Sequence, residues 1–250
     1  MLASGKVNVL ALIGSSKVAD HLKKQHPKSH RLRAILGLDA KNAAIVLPDA
    51  DIELTVKECL LGTLSFNGQR CTALKMLIVH ESIAERFLER FTEELAKLKV
   101  GMPWEKGVTI TPLPGLHRTA YMTEAIEDAK AKGARVVNEG GGDVLHDAVT
   151  TRPCVYPVRE GMKLYREEQF GPIIPVMPFV ERRGRARIRQ SLPTTASRSA
   201  SSGPIPVRSV HWLIRWSTRS AGSTSIASAS GGLMSSRLPV ARIPPKERCR

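Results

Sequence analysis

The pattern that most constrains the fold lies in the first 38 residues, where a strand, a helix and a second strand follow one another. "VNVLALIG" (7–14) predicts a buried strand, the Gly-Ser-Ser turn opens a helix, and Pro27 ends it before "RLRAILGL" (31–38). Strands joined by a helix predict a parallel sheet, which needs cover on both faces and more than two strands. We therefore expect an α/β protein whose chain starts in the middle of a domain.

Alternating helix and strand patterns continue to Phe179. Residues 49–66 predict a helix that Asp49 or Asp51 caps. Residues 82–100 predict a helix that Ser82 caps, because apolar side chains repeat every fourth residue along one face at Ile83, Phe87, Phe91 and Leu95. A further predicted helix ends at Gly133. Predicted strands cover residues 73–80, 135–137, 151–158 and 171–179. Every part of this stretch agrees with an α/β fold.

The composition changes after residue 180. The chain has 38 Lys and Arg residues against 23 Asp and Glu, but residues 182–250 hold 14 of the basic and one of the acidic residues. The same segment has 14 Ser, no Phe, no Tyr and no sustained period. Such a composition cannot bury enough apolar surface to offset chain entropy, so residues 181–250 predict a disordered tail. A basic charge typical of nucleic-acid binding is confined to that tail.

The remaining composition excludes several classes of protein. The four cysteines form no CxxC pair and no spacing suited to zinc, which predicts free thiols and no metal. No charged and apolar leader is recognisable, and no apolar run approaches the roughly 20 residues that cross a bilayer. These features predict a cytoplasmic protein with no membrane partner.

One short stretch, "FNGQRCTALK" (66–75), carries a candidate for chemistry. Cys71 lies between two apolar elements, where a cysteine is commonly a small packing residue. Gly68, however, permits a sharp turn, and the adjacent Arg70 favours a thiolate. Considered alone, the stretch leaves open whether Cys71 packs in the core or is a nucleophile displayed on a turn.

Four motifs in order resemble the aldehyde dehydrogenase superfamily. They are "LIGSSKVAD" (12–20), "KNAAIVLPDADIE" (41–53), "GQRCTA" (68–73) and "EEQFGP" (167–172). The resemblance implies an aldehyde dehydrogenase-like catalytic domain over residues 38–180. It implies that residues 1–37 are the remnant of a Rossmann-type cofactor domain. Its members are commonly homo-oligomers, which makes a homo-oligomer the expected assembly.

The same resemblance implies a reaction. Cys71 would attack a small aldehyde, a hydride would pass to NADP or NAD, and water would hydrolyse the thioester to the acid. Glu168 would bind the nicotinamide ribose with Phe170 beside it, and Gly14 and Ser15 would lie near the pyrophosphate. Judged without the family, Glu168 is a solvated surface carboxylate and Ser15 a plain helix cap.

The variant "GQRCTALK" is similar to the non-phosphorylating glyceraldehyde-3-phosphate dehydrogenases of this superfamily. In that group the Arg before the nucleophile helps to bind the substrate phosphate, which fits the planar fork of a guanidinium. Arg70 matches that position, and Thr72 is assigned to the substrate with it. The alternative is that Arg70 only orders the loop or lowers the pKa of the thiol.

The sequence also departs from the family pattern. Gly37 stands where the family has the general-base glutamate, and Asp39 lies two positions further on, before the matching Lys41. Either Asp39 substitutes, or deacylation is slow, or another acceptor such as a thiol takes the acyl group. The family's earlier part, with an oxyanion-hole Asn and an adenosine-binding Lys, is absent. The competing hypothesis is therefore a catalytically inactive remnant that at most associates with partners.

The basic tail has an explanation of its own. Codons for Ser217 to Val240, read one nucleotide earlier, can encode a string similar to the end of the same aldehyde dehydrogenase subgroup. We therefore expect a frameshift between Phe179 and Ala196, which makes the tail an out-of-frame product and nucleic acid an unexpected partner. The alternative is an evolved RNA-binding tail.

Overall fold

A computed structural model describes residues 1–145 and 149–180. The predicted tail and frameshift, residues 181–250, lie outside this part of the chain. The helices are α1 Ser16–Lys24, α2 Ile52–Leu64, α3 Glu81–Ala96, α4 Leu116–Ala131 and α5 Lys163–Arg166. The strands are β1 Val9–Ile13, β2 Arg33–Gly37, β3 Ala43–Val46, β4 Met76–His80, β5 Lys99–Val100, β6 Val108–Ile110, β7 Arg135–Val136, β8 Val144–Leu145, β9 Val149–Thr150, β10 Cys154–Tyr156 and β11 Ile174–Phe179. The predicted α/β class is confirmed.

A five-stranded sheet forms the centre, in the order β3-β4-β11-β10-β7. Its first four strands are parallel, and β7 runs antiparallel to β10 at the edge. Leu77 of β4 lies between Ala44 of β3 and Val176 of β11, and all three side chains are buried. Parallel strands covered on both faces read as continuous apolar runs, as "MLIVH" does here.

Two apolar cores lie on opposite faces of this sheet, because side chains alternate along each strand. On one face α3 buries Phe87, Phe91 and Leu95, the repeat predicted from the sequence, while Ile83 is partly buried. On the other face α4 and the residues around α5 pack against β4 and β10. The site described below lies where β4 and β11 begin.

The first strand, helix and strand form a separate two-stranded sheet. Strands β1 and β2 are parallel, with Val9 opposite Arg33 and Ile13 opposite Gly37, as predicted. The prediction that β1 is buried is wrong, since Ile13 is 89% exposed, and Ile35 of β2 is 68% exposed as well. The reason is that, over residues 1–145 and 149–180, this sheet has only two strands and that α1 buries only Ala19.

Two of the predicted helix ends are confirmed and one is wrong. Asp51 caps α2 by accepting a hydrogen bond from the Leu54 amide at 3.1 Å, and Gly133 follows α4 with φ +90°. Helix α3 begins at Glu81 and not after Ser82, because the ring of His80 takes the capping role and accepts from the Ser82 amide at 3.3 Å.

Three cysteines lie in the described residues, and all are free thiols. Burial raises the pKa of Cys59 and of Cys154 to about 12, whereas Cys71 is exposed. Over residues 1–145 and 149–180, no helix has the length and apolar character to cross a bilayer.

Candidate active site

Cys71 lies on a turn between α2 and β4. The chain leaves α2 through a short turn, Ser65–Gly68, and reverses direction before β4 begins at Met76. Cys71 and Thr72 are both exposed on that reversal. Cys71 is therefore not a packing residue in the described part of the chain, and its role as a nucleophile stays a prediction.

Gly68 brings this turn against the "EEQFGP" motif. Its φ is +68°, and a Cβ there would lie 2.6 Å from the Gly171 oxygen and 2.8 Å from the Thr63 oxygen. Both distances are shorter than real contacts allow, so any side chain at this position would force the two segments apart. The glycine thus positions the cysteine turn against a motif about a hundred residues away.

The two residues before Gly68 also adopt left-handed backbone conformations. Phe66 has φ 54° and Asn67 has φ 58°, which is unusual for residues other than glycine. Asn67 is held there because its amide group donates to the Thr111 side chain at 2.9 Å and accepts from the Thr111 amide at 3.0 Å. Phe66 is 72% exposed, and the Arg70 guanidinium lies 5.2 Å from the centre of its ring. The contact with the Phe66 ring orients the Arg70 side chain on the turn that carries Cys71.

Asn42 holds the other side of the turn. Its side-chain Nδ2 donates to the Cys71 oxygen at 2.7 Å and to the Ala73 oxygen at 3.2 Å. Its own carbonyl accepts from the Lys75 amide at 2.7 Å. Sequence reasoning did not assign Asn42 a role, although it lies inside a quoted motif directly after Lys41.

Lys75 lies beneath the turn and is 1% exposed. Its Nζ donates to the Gly68 oxygen at 2.6 Å, lies 3.9 Å from Glu168 Oε1, and lies 4.8 Å from the centre of the Phe170 ring. Burial lowers the pKa of Lys75 to about 8, against the opposing attraction of Glu168 and Cys71. Sequence reasoning missed Lys75; the available signal was a lysine at the start of an otherwise apolar strand.

A second buried lysine anchors the "EEQFGP" motif. Lys41 Nζ donates to the Gln169 Oε1 at 2.5 Å and to the Glu167 oxygen at 2.7 Å. Gln169 in turn donates to the Lys75 oxygen at 2.8 Å. Burial, with repulsion from Lys75 as the next cause, lowers the pKa of Lys41 to about 7. The two lysines therefore connect this motif to the cysteine turn.

Glu168 is not a solvated surface carboxylate. Its side chain is 13% exposed, and Oε2 accepts from the Ala40 amide at 3.2 Å. Burial raises the pKa of Glu168, and the Asp39 charge acts in the same direction, while the Ala40 hydrogen bond and Lys75 oppose the shift. Glu168, Phe170 and Lys75 thus form one cluster, and the binding of the nicotinamide ribose by the first two stays a prediction.

Gly14 and Ser15 lie apart from this cluster at the start of α1. The Gly14 amide donates to the Gly37 oxygen at 2.9 Å, and the Ser15 hydroxyl accepts from the Val18 amide at 3.3 Å. Ser15 is therefore the N-cap of α1, as its plain interpretation predicted. Asp39 Oδ2 accepts from the Ser16 amide at 2.8 Å. The residue considered as a replacement base is engaged at this helix terminus.

This geometry defines a class of protein: an α/β fold that presents one exposed cysteine on a tight turn, with a partly buried glutamate and buried lysines behind it. A sequence model described as "Aldehyde dehydrogenase family" matches residues 1–188. The chain belongs to the aldehyde dehydrogenase family.

Its similarity to individual members is moderate. The chain is 38% identical over 175 residues to the NADP-dependent glyceraldehyde-3-phosphate dehydrogenase of Streptococcus equinus, covering 68% of this chain and 34% of that protein. It is 36% identical over 152 residues to the Pisum sativum protein of the same name, covering 60% and 29%. The chain thus spans about a third of the length of the curated relatives it matches.

Solved structures agree with this assignment. NADP-dependent glyceraldehyde-3-phosphate dehydrogenase from Bacillus halodurans, complexed with NADP, is 29% identical with a TM-score of 0.61, over 68% of this chain and 34% of that one. An NADP-dependent enzyme of E. coli is 30% identical with a TM-score of 0.66, over 72% and 37%. The described part of the chain therefore has the family's fold.

Proposed function

We propose that Cys71 is the nucleophile of an aldehyde oxidation of the family type, with NADP or NAD as the hydride acceptor. The observation that carries the proposal is the exposure of Cys71 on a turn that Gly68, Asn42 and Lys75 hold in place. Cys59 and Cys154, in contrast, are buried with raised pKa values, so neither is suited to attack a substrate.

The first step uses only residues of this chain. The Cys71 thiolate adds to the aldehyde carbon, a carbon–sulfur bond forms, and the carbonyl electron pair moves to oxygen. The backbone N–H of Cys71 supplies a donor for that oxyanion. The pKa of the buried Lys75 is lowered by burial, while the negative charges of Glu168 and of a Cys71 thiolate act in the opposite direction.

The cofactor residues fit only in part. A bound nicotinamide would accept the hydride, with Glu168 as acceptor for its ribose hydroxyls and Phe170 beside it. Lys75 and the Ala40 amide hold the Glu168 carboxylate in place, which suits that task. At the other end, Gly14 and Ser15 would approach the pyrophosphate, but the carboxylate of Asp39 already occupies the Ser16 amide. The start of α1 therefore does not fit a pyrophosphate in addition to the Asp39 carboxylate.

The substrate proposed is a phosphorylated aldehyde, glyceraldehyde 3-phosphate. Arg70 stacks on Phe66 one residue before Cys71, and Thr72 is exposed one residue after it. A guanidinium held next to the nucleophile suits a phosphate on the reacting aldehyde. Two relatives named above also act on this substrate by name. The alternative, that Arg70 only orders the loop, predicts no preference for a phosphorylated aldehyde.

A division into two domains, 1–37 and 38–180, accords with the separate sheets. Strands β1 and β2 pair only with each other, and the five-stranded sheet begins with β3 after residue 38. The homo-oligomer, the cytoplasmic location and the frameshift after Phe179 stay predictions.

The second candidate, an inactive remnant, is favoured by the residues at the base position. Gly37 carries no carboxylate, and Asp39 accepts a hydrogen bond at α1. Without a base, water attacks the thioester slowly, so a chain that is acylated at Cys71 would keep the acyl group and stop after one turnover. A fully inactive remnant would not be acylated at Cys71 at all, and this difference separates the two candidates.

The test is to mix the purified chain with glyceraldehyde 3-phosphate and NADP+, follow NADPH absorbance, and measure intact mass. The proposal predicts one NADPH and one acyl group for each chain, lost in Cys71→Ser and kept in the matched Cys59→Ser. No NADPH and no adduct, with Cys71 still alkylated by iodoacetamide, would support the remnant. Glyceraldehyde in place of its phosphate tests Arg70, and a reaction at the same rate would contradict the phosphate assignment.

A further inference from the structure

The start of α1 has the architecture that binds phosphates in many α/β proteins. Strand β1 leads through Gly14 and Ser15 into α1, and β2 lies parallel beside β1. In such a unit the helix N-terminus, with its free N–H groups and its positive dipole end, lies at the carboxyl ends of the strands. A dinucleotide phosphate bound by this unit would need these N–H groups.

In this chain two of the amide donors at that helix terminus, those of Ser16 and Val18, are engaged by its own side chains. Asp39 follows β2 and reaches across to accept from the Ser16 amide at 2.8 Å. The Ser15 hydroxyl accepts from the Val18 amide at 3.3 Å. The first turn of α1 contains no acidic residue, so Asp39 brings the negative charge from another element. One full charge thus lies where an incoming anion would bind.

The same carboxylate acts on the cluster near Cys71. The amide of the next residue, Ala40, donates to Glu168 Oε2 at 3.2 Å, while the Asp39 carboxylate accepts from the Ser16 amide. Burial raises the pKa of Glu168, and the Asp39 charge acts in the same direction. Since Glu168 is the residue proposed to bind the nicotinamide ribose, Asp39 lies between the two places that one dinucleotide would have to contact.

We infer that Asp39 is a built-in competitor of the dinucleotide: its carboxylate occupies the anion position at the α1 N-terminus and lowers the affinity for NADP+ or NAD+. The inference rests on the proposed function only for the identity of the cofactor. It extends that function because it attributes the low affinity expected at the phosphate end of the proposed cofactor site to one side chain, Asp39. Replacing this carboxylate by a neutral acceptor removes the charge that opposes a phosphate, and removing the side chain also frees the Ser16 amide.

The experiment measures NADP+ binding by titration calorimetry on the full chain. Asp39→Asn keeps an oxygen that can accept from the Ser16 amide but removes the charge, and we expect its Kd to fall by about tenfold. For Asp39→Gly, which removes the side chain, we expect the Kd to fall at least as far. The matched control is Asp20→Asn, the same change at an exposed acid elsewhere on α1, with an unchanged Kd. Inorganic pyrophosphate should reproduce the order of the variants.

Three outcomes overturn the inference. One is an equal Kd for wild type and Asp39→Asn, and another is an equal gain in Asp20→Asn, which would indicate a general effect of net charge. The third is no binding by any variant at millimolar NADP+, because Asp39 would then not limit affinity. Helix content from circular dichroism verifies that Asp39→Asn keeps α1. Protection of Cys71 by the aldehyde against alkylation with iodoacetamide, measured by mass on the same samples, tests the proposed function separately, since the reversible thiohemiacetal forms without a dinucleotide.

Discussion

The four parallel strands of the five-stranded sheet and the parallel β1–β2 pair both have helices between strands, yet the two regions differ in what covers them. In the first, helices lie on both faces and the strand side chains are buried. In the second, apolar side chains such as Ile13 and Ile35 lie in solvent. Cys71, Lys75 and Glu168 belong to the covered region, and the start of α1, where the proposal places the dinucleotide phosphates, belongs to the exposed one. The residues around Cys71 are therefore held by a better packed core than the residues proposed to bind the dinucleotide phosphates.

The largest expected difference between the two regions is in the cost of losing an apolar side chain. Phe91→Ala removes a fully buried ring from the core and should lower the free energy of unfolding by roughly 3–5 kcal/mol. Ile35→Ala removes a largely exposed side chain and should change it by less than about 0.5 kcal/mol. Urea unfolding followed by circular dichroism measures both. Similar losses in the two variants would show that β2 is covered in solution.

A smaller but still large effect is expected at the turn that carries Cys71. Gly68→Ala adds a Cβ 2.6 Å from the Gly171 oxygen at φ +68°, and should cost roughly 2–4 kcal/mol through strain and displacement of the neighbouring segment. Gly133→Ala is the matched control, since it has φ +90° and no atom within 4 Å of the added Cβ. It should cost only about 1 kcal/mol. Equal losses would mean that the two motifs are not in close contact.

The buried lysines make the stability of the covered region depend on pH. Because the folded-state pKa of Lys75, about 8, lies below the value of 10.5 for an exposed lysine, the unfolded chain binds more protons between these two values. Stability should therefore rise as the pH increases from about 8 to 10.5, by roughly 1–3 kcal/mol from this lysine.

Lys75→Met removes the titrating group and keeps much of the volume, so the rise should be smaller in this variant. Lys97→Met, a change at an exposed lysine, is the control and should keep the full rise. Denaturant unfolding at pH 8, 9 and 10 provides the comparison. A rise of the same size in Lys75→Met would show that Lys75 is not the source.

The smallest expected effect is the loss of a helix cap in each region. Asp51→Ala removes the cap of α2 and should cost about 1 kcal/mol of global stability, because α2 packs in the core. Ser15→Ala removes the equivalent bond of α1, and its effect should be confined to α1 and its sheet. Amide hydrogen exchange separates the two cases. Faster exchange throughout the central sheet in Ser15→Ala would contradict the local role of α1.

Local patterns predicted the elements well where the chain supplies its own signals. The repeat of Phe87, Phe91 and Leu95 predicted the buried face of α3, and Asp51 predicted the start of α2. The cap of α3 was misassigned, since a histidine ring can replace the hydroxyl that the pattern favours. The burial of β1 and β2 could not be predicted, because it depends on neighbouring segments and not on the apolar character of the strand itself.

The candidate site was predictable only in the residues that carry motifs. Cys71, Glu168 and Phe170 were found through their motifs, and the structure brings the cysteine turn and the "EEQFGP" segment together through Gly68. Lys75 and Asn42 were missed since their roles come from contacts with distant segments, such as the bond from Asn42 to the Cys71 oxygen. Asp39 was noticed as a candidate replacement for the general base, and its bond to the Ser16 amide was not predicted, because sequence cannot show which amide a carboxylate reaches.

The contact between Gly68 and the Gly171 carbonyl has a consequence for how this family varies over time. A side chain fits at position 68 only if the backbone around Gly171 is displaced away from it. Such a displacement would also move Glu168 and Phe170. The two motifs are therefore expected to be inherited as a pair. A lineage released from selection on one of them should lose the other soon afterwards.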